Sequence, residues 1–182
     1  MALGFLICAA PDSHIEFLAA HPTLVHSYLD GEFPPAVNTE ESLPSWWPSS
    51  PPERLESWNI NHRNTELYHW ILNGSAEPQS GAGSIFQTWH NPTFQASFLK
   101  LDPHNERFAF YSGQLLELSQ LVQKVDLQRV MTAFRDWLLS QGDSWGAENV
   151  PDEMACEPFV EEFKRFDTLL GDAISHHVGI IW

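Results

Sequence analysis

Residues 2–9 read ALGFLICA, and this stretch decides the fold class. Large apolar side chains alternate at Leu3, Phe5 and Ile7, with Leu6 on the other face, so the period is two and the segment is predicted to be a strand. Pro11 and Pro22 suit first-turn helix positions. Two short helices are predicted over 11–20 and 22–30, with Ile15, Phe17, Leu18 and then Leu24, Val25, Tyr28 and Leu29 as apolar faces. Gly31 is a natural stop. At the far end, VGIIW (178–182) follows a long helical stripe and reads as a buried closing strand.

Between these ends the pattern alternates in kind. ERLESWNI (53–60) reads as extended. Asn61 can open a helix to Asn73, with Leu67, Trp70 and Ile71 inward and Gly74 at its end. SAEPQSGAG (75–83) reads as a flexible link, and GAGS (81–84) as a turn rather than a phosphate loop. SIFQTWH (84–90), TFQASFLKL (93–101) and RFAFYS (107–112) read as strands. A helix follows over 113–125. Asp126 then caps another, whose Leu127, Val130, Met131, Phe134, Trp137 and Leu138 make a clear helical stripe ended by Gly142. Pro158 is predicted to open the last helix, with Phe159, Phe163, Phe166, Leu170, Ala173 and Ile174 on one face. These elements define one α/β domain over 1–182: a small mixed β-sheet flanked by helices, closed by the C-terminal strand. Phe5, Trp70, Phe134, Phe163 and Ile180 are expected in its core.

Two segments stand outside this pattern. Residues 31–52 form a loop rich in proline, serine and tryptophan, and 143–157 an acidic loop. The first holds SLPSWWPSSPP (42–52), in which Trp46 and Trp47 are adjacent. Neighbours in an extended segment point opposite ways, so one can dock inward while the other stays available. The second begins a run from Glu148 to Glu162 that carries six acids and no base.

The chain has 24 acidic and 9 basic residues, a formal net charge of −15. Such a field repels phosphate backbones, which disfavours nucleic acid, and speeds encounter with a basic protein. No stretch approaches the roughly 18 apolar residues of a membrane span. The opening lacks the charged leader of a secretory signal, and a cytoplasmic location is expected. Cys8 and Cys156 suggest no disulfide framework.

Motifs for chemistry are absent. There is no H-E-x-x-H, C-x-x-C, G-x-S-x-G or Walker loop. His62 and His69 lie about 10 Å apart along one predicted helix, too far to share an ion. No metal or cofactor is therefore expected.

The ends and part of the middle resemble the YfbM-like family of bacterial proteins. MALGFLICAAPDSHIEFLAAHPTLVHSYLD (1–30) is similar to that family's opening, a short apolar strand containing Gly and two helices entered through P-E-x-L and D-P. RNTELYHWILNG (63–74) is similar to its K-A-W-H-G-L-H-F-L-L-T-G run. His69 falls on the second histidine and Gly74 on the last glycine, while Thr65, Glu66 and Leu67 replace W, H and G. The family's Gly-Tyr-Gly stretch has no counterpart. The resemblance implies an α/β fold with a small mixed sheet and carries no catalytic residue.

The expected function is accordingly that of a non-enzymatic acidic binding domain, most concretely an immunity protein that neutralises a bacterial antagonistic toxin. Trp46, Trp47, Asp152, Glu153 and Glu157 are its candidate contact residues. The alternative is a small hydrolase or transferase with a site assembled from Glu66, His69 and Tyr111.

Overall fold

The computed structural model describes residues 3–34, 43–60, 65–87, 99–102, 107–140 and 153–181. Five strands form one sheet in the order β2-β1-β5-β4-β3. They are β1 (Leu3–Ala10), β2 (Arg54–Ile60), β3 (Leu99–Asp102), β4 (Arg107–Phe110) and β5 (Gly179–Ile181). The helices are α1 (Asp12–Ala20), α2 (Val25–Asp30), α3 (Thr65–Asn73), α4 (Ser112–Val122), α5 (Leu127–Ser140) and α6 (Glu153–Ser175). The α/β class, the flanking helices and the closing strand are as expected. The sheet expected to be mixed is instead antiparallel at every described pairing. The closing strand inserts between β1 and β4 and runs against both. β1 and β4 are thus parallel to each other without touching.

Register and core agree on which side chains face which way. Cys8, Ile181 and Ala109 share one row, and Ala9, Ile180 and Phe110 the next. Side chains alternate across a strand, so neighbouring rows point to opposite faces. Ile7, Phe108, Phe110 and Ile180 accordingly join a core with α3, α4, α5 and α6. Ala10, Leu101, Ala109 and Ile181 join a second core with α1, α2 and Trp47. The molecule is a three-layer α/β/α sandwich. A sheet covered on both faces buries nearly every residue, and all three residues of β5 are buried.

Glycine matters at two close approaches. A Cβ on Gly179 would lie 2.5 Å from the Phe110 carbonyl oxygen and 2.6 Å from Ile15 Cδ1. Gly31 ends α2 at φ 67°, where a Cβ would also meet the Ser50 carbonyl carbon at 2.0 Å. The stop read in the sequence is thus also the seat of the tryptophan loop.

Three expectations change. Residues 84–87 form no strand: Gly81–Ser84 is a short 3₁₀ helix that runs on into a turn, and Ile85 and Phe86 are both buried beyond it. Residues 75–83 are not a loose link but are tied down. Asn73 Nδ2 donates to the Gly83 carbonyl at 2.8 Å, and Gln79 N–H to Gln87 Oε1 at 3.0 Å. The last helix begins at Glu153, so Pro158 lies inside it and the acidic loop expected over 143–157 ends earlier. Pro158, the sixth residue of α6, lacks the N–H that would bond four residues back, so the helix gives up one backbone bond there. The extra turn brings Cys156, fully buried, into the core. Of the expected core, Phe163 and Ile180 are buried, Trp70 and Phe134 partly so, and the Phe5 side chain lies outside the described residues. No helix among the described residues is long and apolar enough to cross a membrane.

Candidate functional site

The helices α1 and α2 pack over the Ala10–Ala109–Ile181 face of the sheet, and residues 43–52 lie across them. Ile15 and Leu18 of α1 and Val25 and Tyr28 of α2 point inward. The outer side of this layer receives the tryptophan pair, which divides in function. Trp47 is 7% exposed, and its Nε1–H donates to the Glu32 carbonyl at 3.0 Å. Its ring meets Phe17 and Tyr28 edge-on. A buried indole with its N–H satisfied is a core residue. Trp46 is only half-buried. It stacks on His14 with centroids 3.8 Å apart and planes 12° apart, and meets Phe17 edge-on at 5.3 Å.

One residue missed in the sequence belongs to this surface. Phe33 is 67% exposed and follows directly on Glu32, the residue whose carbonyl holds Trp47. Glu16, Asp30 and Glu32 are exposed on the same layer, and Glu53 is exposed just before β2. The chain has no lysine or arginine before Arg54, which is itself exposed and shares the Cys8 row of the sheet face under this layer, where Arg107 also acts on Cys8.

The other expected contacts lie elsewhere. Asp152 is outside the described residues, Glu153 is the first residue of α6, and Glu157 is exposed on that helix. α6 packs on the Phe110–Ile180 face, so the sheet separates it from Trp46 and Trp47. A single partner surface does not contain both segments as docked here.

The residues of the enzyme alternative are also dispersed. His69 is 1% exposed, with Nδ1 accepting from Asn73 Nδ2 at 3.2 Å and Nε2–H donating to the Glu77 carbonyl at 3.1 Å. Both ring nitrogens are engaged, and the partners set the tautomer. Glu66 is exposed on α3, and Tyr111 packs against the α1/α2 core on the other side of the sheet. A shallow cleft of about 320 Å³ lies beside α5, lined by Asp126, Arg129 and Asp136, and includes none of the three. Its Arg129 guanidinium caps the end of α3 at the Leu72 carbonyl, and Asp126 Oδ1 accepts the Arg129 N–H at 2.7 Å. Those charges serve helix ends.

Tyr68 and Glu162 form a titratable pair in which both groups are shifted by burial. The Tyr68 hydroxyl donates to Glu162 Oε2 between α3 and α6. Burial pushes the Glu162 carboxyl up, against the opposing pull of the Tyr68 bond and Arg165. Burial, then Glu162, push the Tyr68 phenol up as well. Phe86, Phe159 and Phe163 surround the phenol ring, so the pair joins two helices inside the core. Among the described residues no group of three or more His, Cys, Asp or Glu could hold a metal ion.

Comparison with protein-family models, curated proteins and solved structures gave no match to this chain.

Proposed function

We propose that this chain is a protein-binding domain that grips a basic partner through the α1/α2 layer. Trp46 and Phe33 are its apolar anchors. The observation that carries the reading is the charge of that layer: Glu16, Asp30 and Glu32 are exposed on α1, on α2 and directly after α2, beside the exposed Phe33 and on the elements that seat Trp46, with no lysine or arginine before Arg54. Aromatic anchors inside a rim of one charge combine a slow dissociation with an electrostatically steered association. The dispersal of Glu66, His69 and Tyr111 favours this over the hydrolase or transferase reading.

The concrete form of the proposal is a cytoplasmic immunity protein, with a bacterial antagonistic toxin as the partner and neutralisation by occlusion as the mechanism. The resemblance to the YfbM-like family is compatible with it and adds no activity. The test is co-expression of the chain with the product of its neighbouring gene, followed by binding kinetics of the purified pair. Protection from toxicity that is lost in Trp46→Ala and Phe33→Ala supports the proposal. Protection unaffected by either substitution opposes it.

A further inference from the structure

Residues 43–52 are held on the α1/α2 layer at two unlike points. At the first no group changes charge near neutrality: Trp47 is buried, bonded to the Glu32 carbonyl and edge-on to Tyr28, whose phenol burial pushes up to about 12, and the Ser50–Pro51 backbone closes over Gly31, leaving no room for a Cβ. The second is the stack of Trp46 on His14, and His14 can change its charge. His14 Nδ1 lies 2.8 Å from the Tyr28 hydroxyl, with the two rings edge-on at 5.7 Å.

We propose that this segment is a strap with one permanent and one protonation-sensitive fastening, so that acidification lifts Trp46 off His14 while Trp47 stays seated. The chemistry follows from the Tyr28 contact. A neutral imidazole accepts the Tyr28 O–H at Nδ1. An imidazolium must donate there, which turns the Tyr28 hydrogen away in a place where Tyr28 is 2% exposed, beside Cys8. Tyr28 cannot respond by ionising, since burial and then Cys8 push its phenol up to about 12. Stacking an imidazolium on an indole returns part of the loss. The balance still disfavours the charged ring, because burial holds the His14 pKa below its ordinary value.

The other groups around the clasp do not share this role. On α1, Asp12 is bound to Ser112, and Glu16 lies two residues from His14, on a different side of the helix. His21 Nδ1 pairs with the Phe17 carbonyl at 2.8 Å, where it donates in either charge state. On α2, His26 pairs with Asp30 at 3.1 Å. Residues 43–52 carry no ionisable side chain. A group whose pKa is lowered in the closed form favours that form at high pH and withdraws its support as pH falls below its open-form value, about 6.5 for histidine. The consequence for a partner, release in acid, rests on the partner-binding reading. The strap itself does not.

The test needs no partner. The chain is labelled with 5-fluorotryptophan, Trp46→Phe assigns the Trp46 resonance, and ¹⁹F spectra are followed from pH 8 to pH 5. The expected result is a Trp46 transition with a midpoint below about pH 6.5, with Trp47 unmoved. His14→Phe keeps an aromatic face under Trp46 and abolishes the transition. A Trp46 resonance that does not move, or moves equally in His14→Phe, overturns the proposal. Should His14→Phe fail to fold, the wild-type His14 imidazole is titrated directly by ¹H–¹³C correlation. Coincident His14 and Trp46 midpoints uphold the strap, and separate midpoints overturn it. A partner that fails to bind at pH 8 leaves the strap standing and removes only the binding reading.

Discussion

Asp12 and Ser112 are a hundred positions apart in sequence, yet the Asp12 carboxylate accepts both the backbone N–H and the hydroxyl of Ser112, at 2.8 and 2.7 Å. Asp12 is the first residue of α1 and Ser112 the first of α4. The two helices leave the same end of the sheet, because β1 and β4 run parallel on either side of β5, and then cover opposite faces. A single carboxylate therefore sits at two positive helix ends and ties the two outer layers together across the central strand.

Replacing Asp12 by Ala is expected to cost about 1–3 kcal/mol, because Ser112 loses an ionised acceptor for both donors. Urea unfolding checks this. Asp12→Asn keeps one acceptor oxygen and is expected to lose less. Equal midpoints for wild type and Asp12→Ala would show that the contact contributes nothing.

The tryptophan pair separates stability from surface. Trp47→Ala removes a buried indole and is expected to cost roughly 3–5 kcal/mol. Trp46→Ala, on a half-buried ring, is expected to cost well under half of that. Comparing the two denaturation midpoints under one condition decides it. Equal losses would mean that Trp46 is as much a core residue as Trp47.

Glu162 makes a pH prediction with a definite sign. Burial raises its pKa in the folded chain, so the folded form holds its proton to higher pH than the unfolded form does. Its contribution is complete below the unfolded value, about 4.3, and is lost as pH rises through the raised folded value. Glu162→Gln stays neutral and can still accept from Tyr68. Its melting temperature is expected to exceed that of wild type near pH 7 and to converge with it near pH 4. A constant offset across that range would contradict the assignment.

Strong periodicity made much of this fold legible. The stripe of α5 and its Asp126 cap, the extended character of β1 and the apolar closing strand were all readable because each local pattern agrees with the element it forms. The start of α6 was not, because Pro158 is a good first-turn residue and only the tertiary burial of Cys156 favours continuing the helix upstream of it. The SIF stretch misled for a related reason. Its apolar run suits a strand, but the Asn73–Gly83 and Gln79–Gln87 bonds that fold it into a turn are invisible locally. Antiparallel pairing was hidden too, since the insertion of β5 between β1 and β4 is a long-range choice. At the candidate site the sequence singled out Trp46 and Trp47 but could not divide them, because the division depends on which ring reaches the Glu32 carbonyl. Phe33 gave no signal beyond being one apolar residue between Glu32 and Pro34, a common occurrence in loops.

The central claim is that the acidic α1/α2 layer holds a basic protein, and binding kinetics against the co-expressed partner test it most directly. Association should slow steeply as salt rises from 50 to 500 mM (roughly a fall in Debye length from 14 to 4 Å). Glu16→Gln and Glu32→Gln together should flatten that dependence with little change in dissociation. Trp46→Ala and Phe33→Ala should each speed dissociation by about 30-fold, the equivalent of a 2 kcal/mol hot spot, while the protein stays folded. Folded variants that bind with wild-type association, dissociation and salt dependence would contradict the account.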